Sequence, residues 1–182
     1  MKMRSYESKV INLKQMVAAR KKLRTGGKKL VFTNGCFDLL HVGHADYLSF
    51  ARNQGDALVV AINSDRSVRK NKGPSRPIVP EDERARMLAA LEAVDYVIVF
   101  GDEKPHRLLR AILPDVLVKG ADWAHWVAGR EIVEAHGGKV ALAPLTRGQS
   151  TTNIIEKILG KRPEAIGRRS KADHRSHAAK QT

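Results

Sequence analysis

The sequence predicts a single α/β domain with a doubly wound parallel sheet, a Rossmann-like fold. Short apolar stretches rich in β-branched residues alternate along the chain with longer stretches in which apolar residues recur at helical spacing. The stretch 57–62, A-L-V-V-A-I, is apolar throughout, which is typical of a parallel strand buried on both faces. At 182 residues the chain suits one domain with a substantial core. Strands and helices that alternate in this way form right-handed βαβ units.

The first half of the chain predicts two helices and two strands. Apolar residues at helical spacing among lysines and arginines predict an amphipathic helix over 8–24, with a solvated basic face and an end at Gly26-Gly27. A strand at 29–33 leads through a polar loop into a helix over 42–54, and the buried strand 57–62 follows.

In the second half of the chain, strands and helices again alternate after a predicted loop. Residues 66–79 are rich in charge, glycine and proline, which predicts a loop. Pro80-Glu81-Asp82-Glu83 has the composition of an acidic first helical turn. The remaining predicted elements are helices at 80–93, 104–112, 123–136 and 151–159 and strands at 96–100, 115–118 and 139–143.

The net charge of +14 lies at the two ends of the chain. Residues 1–29 carry ten lysines and arginines against one acid, and residues 160–182 carry seven against two, whereas the middle of the chain is neutral. A neutral middle argues against the remote alternative, a nucleic-acid-binding protein that uses its basic ends. We predict an N-terminal amphipathic helix in 1–27, a folded domain in 28–159, and a basic, disordered segment in 160–182.

The residue types also bear on location and on metals. Cys36 is the only cysteine, which excludes an intrachain disulfide, and no stretch approaches the ~18 apolar residues of a membrane span. We therefore expect a cytoplasmic protein that does not bind a membrane. His106, His125 and His136 lack the spacing of metal ligands, so we expect no resident metal site.

The stretch Leu30–His44, L-V-F-T-N-G-C-F-D-L-L-H-V-G-H, carries the strongest functional signal. It begins as a strand, breaks at Asn34-Gly35 and places His41 and His44 at the start of a helix. Histidines three residues apart share a helix face, and the free N–H groups and dipole of a helix N-terminus favour an anion. The stretch predicts a site that holds a phosphate group while it reacts.

Further motifs along the chain resemble one superfamily. They are N-S-D at 63–65, K-G-P-S-R-P at 72–77, P-E-D-E-R at 80–84, L-E-A-V-D-Y-V at 91–97, L-V-K-G-A-D-W at 117–123 and S-T-T-N-I-I at 150–155. With the H-x-G-H signature, they resemble the nucleotidyltransferase superfamily over about residues 28–158 and look most like the heptose 1-phosphate adenylyltransferase domain. The resemblance implies transfer of AMP from ATP to D-glycero-D-manno-heptose 1-phosphate, which gives an ADP-heptose for lipopolysaccharide or other surface glycans.

The chemistry of such a transfer accounts for the two histidines. Displacement at an α-phosphorus places extra negative charge on its oxygens, and loss of one donor aimed at that charge typically costs ~10²–10³ in rate. The attacking group is itself a phosphate with a second pKa near ~6, so it is anionic at neutral pH without a general base. We therefore assign His41 and His44 to charge stabilisation and positioning.

The resemblance implies phosphate and acceptor contacts from other side chains. Ser150, Thr151 and Thr152 would offer hydroxyls and helix-start N–H groups to the β- and γ-phosphates, although S-T-T alone is also an ordinary N-cap. Lys72, in the predicted flexible loop, would follow the transferring phosphoryl group and assist catalysis. The implied substrate contacts are Arg84 as a clamp on the acceptor phosphate or the triphosphate, Arg76 as a weaker candidate for either, and Asp65 on sugar hydroxyls, unless the N-S-D motif is only a turn.

The resemblance also implies a nucleotide at the ends of the first and fourth strands. Gly35 and Phe37 would present backbone groups to it, while Asp38 braces the loop. The implied nucleotide contacts are Asn34, Gly35, Phe37, Lys119, Gly120 and Asp122, and Asp122 is alternatively a helix N-cap before Trp123.

The nearest alternative is a glycerol-3-phosphate cytidylyltransferase or another sibling that uses CTP. That branch usually reads R-T-E-G-I-S-T-T before the last helix, whereas residues 145–152 read L-T-R-G-Q-S-T-T and lack the first arginine and the glutamate. The difference favours the heptose branch but leaves the choice of base open. The resemblance further implies Mg²⁺ bound with ATP, a homodimer, and a separate kinase that makes the sugar 1-phosphate.

Overall fold

The computed structural model describes residues 5–160, which form a parallel sheet with helices on both faces. All of the predicted basic C-terminal segment except Gly160 lies outside the described residues. The strands are β1 (Leu30–Gly35), β2 (Ala57–Asn63), β3 (Tyr96–Phe100), β4 (Val116–Gly120) and β5 (Lys139–Ala143). The helices are α1 (Leu13–Thr25), α2 (Val42–Arg52), α3 (Asp65–Lys72), α4 (Glu81–Ala89), α5 (His106–Ile112), α6 (Arg130–Glu134) and α7 (Thr151–Ile158), with short 3₁₀ turns at Tyr6–Lys9 and Ala121–Trp123.

The predicted doubly wound parallel sheet is confirmed. The strand order is β3-β2-β1-β4-β5, and every neighbouring pair is parallel. Every residue of β2 is buried, as its uniformly apolar sequence predicts. One face of the sheet packs against α1, α5 and α6, with Met16 and Leu109 in its core, and the other packs against α2 and α4, with Leu48 and Leu88. None of the helices described between residues 5 and 160 has the length and apolarity to cross a bilayer.

The prediction of a loop over 66–79 is wrong at its start, because α3 forms over Asp65–Lys72. Ser64 caps α3 by accepting a hydrogen bond of 3.3 Å from Ser67 N. Only Ser67 and Val68 of this helix are buried. The helix therefore lacks the apolar stripe by which an amphipathic helix is recognised in a sequence.

The helix predicted over 123–136 is shorter than expected, because α6 covers only Arg130–Glu134. Gly129 precedes α6 with a φ of +88°, a left-handed conformation that interrupts a helix and favours glycine. A Cβ at Gly129 would also clash with Leu109 Cδ1. The glycine thus separates the 3₁₀ turn after β4 from α6.

Helix α1 begins at Leu13 rather than at residue 8, because Asn12 caps it. Its basic face is not solvated throughout, since Arg20 is buried and donates two hydrogen bonds of 2.8 Å to Asp115. Asp115 also accepts a bond of 2.7 Å from Leu30 N at the start of β1. Burial alone would raise the pKa of Asp115, but the bonds from Arg20 and Leu30 outweigh it and lower that pKa. A charge-assisted link therefore ties α1 to the sheet.

The sheet opens between β1 and β4, where the strand order reverses. β1 pairs with β2 over six residue pairs but with β4 over only two. Beyond those two pairs, Thr33 Oγ1 and Tyr47 Oη lie 3.1 and 3.0 Å from Val118 O and take the place of backbone donors. Open α/β sheets bind ligands at such a switch point, outside the carboxyl ends of the strands.

Candidate active site

The structure brings the two predicted histidines together beside the carboxyl end of β1. His41 is the N-cap of α2 in an extended conformation, and His44 lies in the first turn. Their rings stack with 3.9 Å between centroids and 22° between planes. His44 N donates to His41 O at 2.8 Å, so the first turn itself holds the pair in register.

The Nδ1 atoms of both rings are buried, and the backbone of Leu39 lies near the ring of His44. Nδ1 of His41 and Nδ1 of His44 have no hydrogen-bond partner among residues 5–160. Burial lowers the pKa of both rings, to about 4 for His44, where the neighbouring His41 adds to the effect and a hydrogen bond with the backbone of Leu39 opposes it. Both imidazoles are therefore neutral at pH 7 in the free protein, and each has one N–H donor. Buried polar atoms without partners are rare, which is consistent with a ligand completing their bonding.

We expect His44 to remain neutral in the free protein from pH 7 down to about pH 4. Nuclear magnetic resonance titration of its ring signals, assigned from a His44→Ala sample, should show no transition near the ordinary histidine value of ~6.5. Because the unfolded chain binds this proton at a higher pH than the folded one, acidification below ~6.5 should lower the free energy of unfolding. His44→Ala should weaken that fall, and a His44 transition near pH 6.5 would contradict the expectation.

Phe37 supports the pair with its ring. Its φ is +47°, in the left-handed region, and its ring centroid lies 5.1 Å from that of His44. A Cβ on Gly35 would lie 3.1 Å from Phe37 Cε2, so the glycine leaves room for the ring. Contact of the Gly35 and Phe37 backbones with a nucleotide stays a prediction.

The N-terminus of α7 closes the other side of the site. Thr151 Oγ1 donates to Leu39 O at 3.3 Å, and Ser150 Oγ accepts from Asn153 N at 3.0 Å. Thr152 is exposed. The structure therefore brings the first and last motifs together and confirms Ser150 as an N-cap. Phosphate contacts from Ser150, Thr151 and Thr152 stay predictions.

Gly43 lies where these two motifs meet, and Gly43→Ala should separate activity from stability. A Cβ there would lie 3.1 Å from both His41 Nδ1 and Gln149 Cβ. We expect kcat to fall by up to ~10-fold, because His41 must shift by a few tenths of an ångström and a displacement of ~1 Å costs ~10² in rate. The Tm should change little, because the higher helix propensity of alanine, at most ~1 kcal/mol over glycine, is offset by these tight contacts. An unchanged kcat, measured beside thermal unfolding, would show that His41 does not need this position.

Asp38 braces the loop between β1 and α2, as predicted. Its buried carboxylate accepts from Ile78 N at 2.8 Å, Val79 N at 3.0 Å and Arg76 Nε at 2.6 Å. Nε of Arg76 is therefore used inside the protein. The structure gives Arg76 a role in fastening the segment after α3 to this loop, and a substrate contact stays a prediction only for its other N–H groups.

Arg84, predicted as a phosphate clamp, is bonded inside the protein, and its contact with a phosphate stays a prediction. Arg84 is 1% exposed and donates to Cys36 O, Asn63 O and Val79 O at 2.6, 2.9 and 2.9 Å and to Asp65 Oδ1 at 2.7 Å. A guanidinium has five N–H donors, and these four bonds use all but one of them. Asp65 supplies the balancing charge for Arg84 through Oδ1, and its predicted contact with sugar hydroxyls stays a prediction.

Lys72 is exposed at the end of α3 rather than in a loop. Its charge reaches the loop after β1, because it is the first among three cations that oppose the rise of the Cys36 pKa caused by burial. A contact of Lys72 with a bound phosphate stays a prediction. Cys36, with its pKa raised, remains a thiol and is a packed residue rather than a nucleophile.

The end of β4 faces the end of β1. Lys119 Nζ donates to Asn34 Oδ1 at 2.7 Å and to Asn34 O at 3.1 Å. Gly120 leaves room for Asp122, whose Oδ1 would lie 2.5 Å from a Cβ at that glycine. Asp122 is not the cap of a helix, since Gly120 precedes the 3₁₀ turn Ala121–Trp123 and no side chain caps it. These predicted nucleotide residues share the opening between β1 and β4, and their ligand contacts stay predictions.

Two residues of the site escaped sequence reasoning. From the sequence, Tyr47 is predicted only as one of the apolar residues on the buried face of α2. Its hydroxyl nevertheless lies 2.6 Å from Thr33 Oγ1, and burial raises its pKa. Gln149 packs over Gly43 but belongs to no motif of its own. Within residues 5–160, no three His, Cys, Asp or Glu side chains are grouped so that they could hold a metal ion.

Comparison with known proteins gives consistent relatives. The bifunctional protein HldE of Geotalea uraniireducens (strain Rf4) is 54% identical over 153 residues, 84% of this chain and 31% of that protein. HldE of Syntrophotalea carbinolica is 52% identical over 155 residues, 85% of this chain and 32% of that protein. The chain thus spans about a third of the length of the curated relatives it matches.

Solved structures and a family model also resemble this chain. The lipopolysaccharide core biosynthesis protein from Thermoplasma volcanium aligns with a TM-score of 0.55 and 28% identity, over 68% of this chain and all of that one. Pantothenate synthetase from Thermus thermophilus shares the fold alone, with a TM-score of 0.55 and 18% identity, over 80% of this chain and 67% of that one. The cytidylyltransferase-like family model matches residues 32–170, most of the chain. The chain belongs to the cytidylyltransferase-like family.

Proposed function

We propose that this chain transfers AMP from ATP to D-glycero-D-manno-heptose 1-phosphate, which yields ADP-heptose and pyrophosphate. Membership of the cytidylyltransferase-like family supports the class of reaction, and HldE relatives at about half identity support the substrate. The observation that carries the proposal is the stacked His41–His44 pair, whose buried Nδ1 atoms lack partners within residues 5–160 at the N-terminus of α2.

The proposed reaction is an in-line displacement. A phosphate oxygen of the sugar 1-phosphate forms a bond to the α-phosphorus of ATP, the bond from that phosphorus to the β-phosphate oxygen breaks, and pyrophosphate leaves. The neutral imidazoles of His41 and His44 donate N–H groups to the α-phosphate oxygens as their charge increases. The N-terminus of α7 holds the β- and γ-phosphates, and Lys72 follows the transferring α-phosphoryl group. No residue needs to act as a base, because the acceptor is already anionic.

The proposed substrates also suggest a metal ion and protein partners. The residues at the site are mostly hydrogen-bond donors, which suit phosphate oxygens rather than a cation. We therefore propose that Mg²⁺ is held by the triphosphate itself, and it would supply charge neutralisation there. We further propose a cytoplasmic homodimer that receives its sugar 1-phosphate from a kinase.

The experiment that tests the proposal is a matrix of ATP, CTP, GTP and UTP against sugar and polyol phosphates, scored by pyrophosphate release. We expect the highest kcat/KM for ATP with heptose 1-phosphate. Turnover with CTP and glycerol 3-phosphate but none with ATP and heptose 1-phosphate would overturn the proposal in favour of the cytidylyltransferase alternative.

A further inference from the structure

The opening between β1 and β4 is a crevice held by side chains, and we call it the switch-point crevice, defined by Asn34, Gly35, Lys119 and Gly120. The two strands stop pairing before they reach these residues. From there on, Lys119 crosses between the strands, since its Nζ donates to both oxygens of Asn34, at 2.7 Å to Oδ1 and 3.1 Å to O. At the switch-point crevice, an ammonium group thus takes the place of the backbone hydrogen bonds that join paired strands.

The chemistry of these two groups fixes the orientation of the Asn34 amide. An ammonium group donates and never accepts, so it selects Oδ1 of Asn34 as its neighbour. The Nδ2 group, with two donors, must then point away from Lys119. Without the lysine, either end of the amide could face the crevice, because the two ends have nearly the same shape.

We propose that Lys119 is a positioning residue that makes Asn34 a hydrogen-bond donor to acceptor atoms of the nucleotide in the switch-point crevice. The inference rests on the proposed function, because it assigns a ligand to Asn34. Lys119 itself acts through Asn34 and does not contact the nucleotide. The donor end of the amide complements the lone pairs of nucleotide oxygens or ring nitrogens.

The surroundings of Lys119 support its charged form at neutral pH. Burial lowers the pKa of Lys119 to about 8, while the charge of Asp122 after β4 opposes that shift. The ammonium therefore predominates at pH 7 and gives way to the amine above about pH 8. A neutral amine can also accept, so its selection of Oδ1 weakens with rising pH.

A double-mutant cycle of Asn34→Ala and Lys119→Met tests the proposal. The readouts are the Kd for ATP from calorimetry and kcat/KM for ATP. We expect Asn34→Ala to weaken ATP binding about tenfold, the worth of one hydrogen bond, mainly through KM. Lys119→Met should weaken it about twofold, because an amide that is free to take either orientation presents its donor end about half of the time. The double variant should lose about tenfold, as Asn34→Ala does, rather than the twentyfold of independent effects, because Lys119 acts only through Asn34. Lys139→Met, an exposed lysine at the start of β5, is the matched control and should bind ATP like the unchanged protein.

Asn34→Asp separates this role from a merely structural one. The carboxylate keeps its bond with Lys119, so the Tm should hold or rise, but its second oxygen presents an acceptor to the crevice. We expect weaker ATP binding than in Asn34→Ala. Retained affinity in Asn34→Asp, or additive losses in the cycle, would overturn the proposal.

Failure of the proposed function has a different signature. If the unchanged protein binds ATP with the expected coupling but does not use heptose 1-phosphate, the acceptor assignment fails and the positioning role stands. If the unchanged protein catalyses nucleotidyl transfer but the losses of ATP affinity in the two single variants add in the double variant, the positioning role of Lys119 is overturned and the proposed function stands. If no nucleotide binds the unchanged protein, both are overturned.

Discussion

His44→Ala is expected to lower kcat for nucleotidyl transfer by about 10²–10³, the usual cost of losing one donor aimed at developing charge. The centroid of its ring lies 3.9 Å from that of His41, and its Nδ1 has no hydrogen-bond partner of good geometry within residues 5–160. The loss should therefore fall on kcat, while the far-ultraviolet circular dichroism spectrum and cooperative unfolding persist. Pyrophosphate release at saturating ATP measures the effect.

The control for this variant is His136→Ala, the same change outside the site. Nδ1 of His136 lies 2.8 Å from Ile132 O at the end of α6, so its loss should leave kcat intact. His41→Ala and the double variant should lose about as much as His44→Ala alone if the stacked rings act as one unit. An unfolded His44→Ala protein would point to a capping role for the histidines, and unchanged turnover would remove them from the mechanism.

Local patterns predicted the parts of the fold whose causes are local. The uniformly apolar stretch of β2 and the H-x-G-H turn behave as their residue types dictate, because strand burial and a helix N-terminus depend on near neighbours. Helix α3 does not follow from the sequence, because its side chains are charged and only Ser67 and Val68 are buried. A helix that presents almost nothing to the core has no periodic apolar signal.

The internal bonds of the buried arginines could not be predicted for a different reason, since their partners are distant in sequence. Arg20 pairs with Asp115, and Arg84 bonds to Cys36 O, 48 residues away. From the sequence alone, an arginine beside acidic residues on a helix is predicted to lie at the surface. The same arginine within a family motif is predicted to bind a phosphate. Only the tertiary structure shows which carbonyls surround the guanidinium. The prediction that Asp38 braces its loop succeeded because the residue lies within the turn that it stabilises.

Arg84 holds together four segments that form the walls of the site. Its guanidinium joins the loop after β1, the end of β2, the start of α3 and the segment before α4, through Cys36, Asn63, Asp65 and Val79. Asp38 makes a second connection between two of the same walls. The loop that carries His41 and His44 is thus fixed from behind by a buried cation.

Arg84→Met is therefore expected to lower the free energy of unfolding by about 3–5 kcal/mol, the cost of removing one partner of a buried charge pair. The methionine fills much of the space but leaves three carbonyls and the Asp65 carboxylate without their donor. Urea denaturation of the purified protein measures the loss. Arg86→Met, two residues along α4, is the matched control, because Arg86 is exposed and pairs with Glu7 at the surface, where ion pairs contribute little.

Kinetics at a temperature where Arg84→Met remains folded distinguish the two roles open to this residue. A direct phosphate clamp would raise KM for the acceptor or ATP and leave stability nearly unchanged. An organising cation would lower stability and kcat together, because His41 and His44 lose their fixed position relative to the α-phosphate. The side chain is fully buried against four internal oxygens, so we expect the second pattern. A raised KM with an unchanged free energy of unfolding would mean that the guanidinium leaves these oxygens when substrate binds.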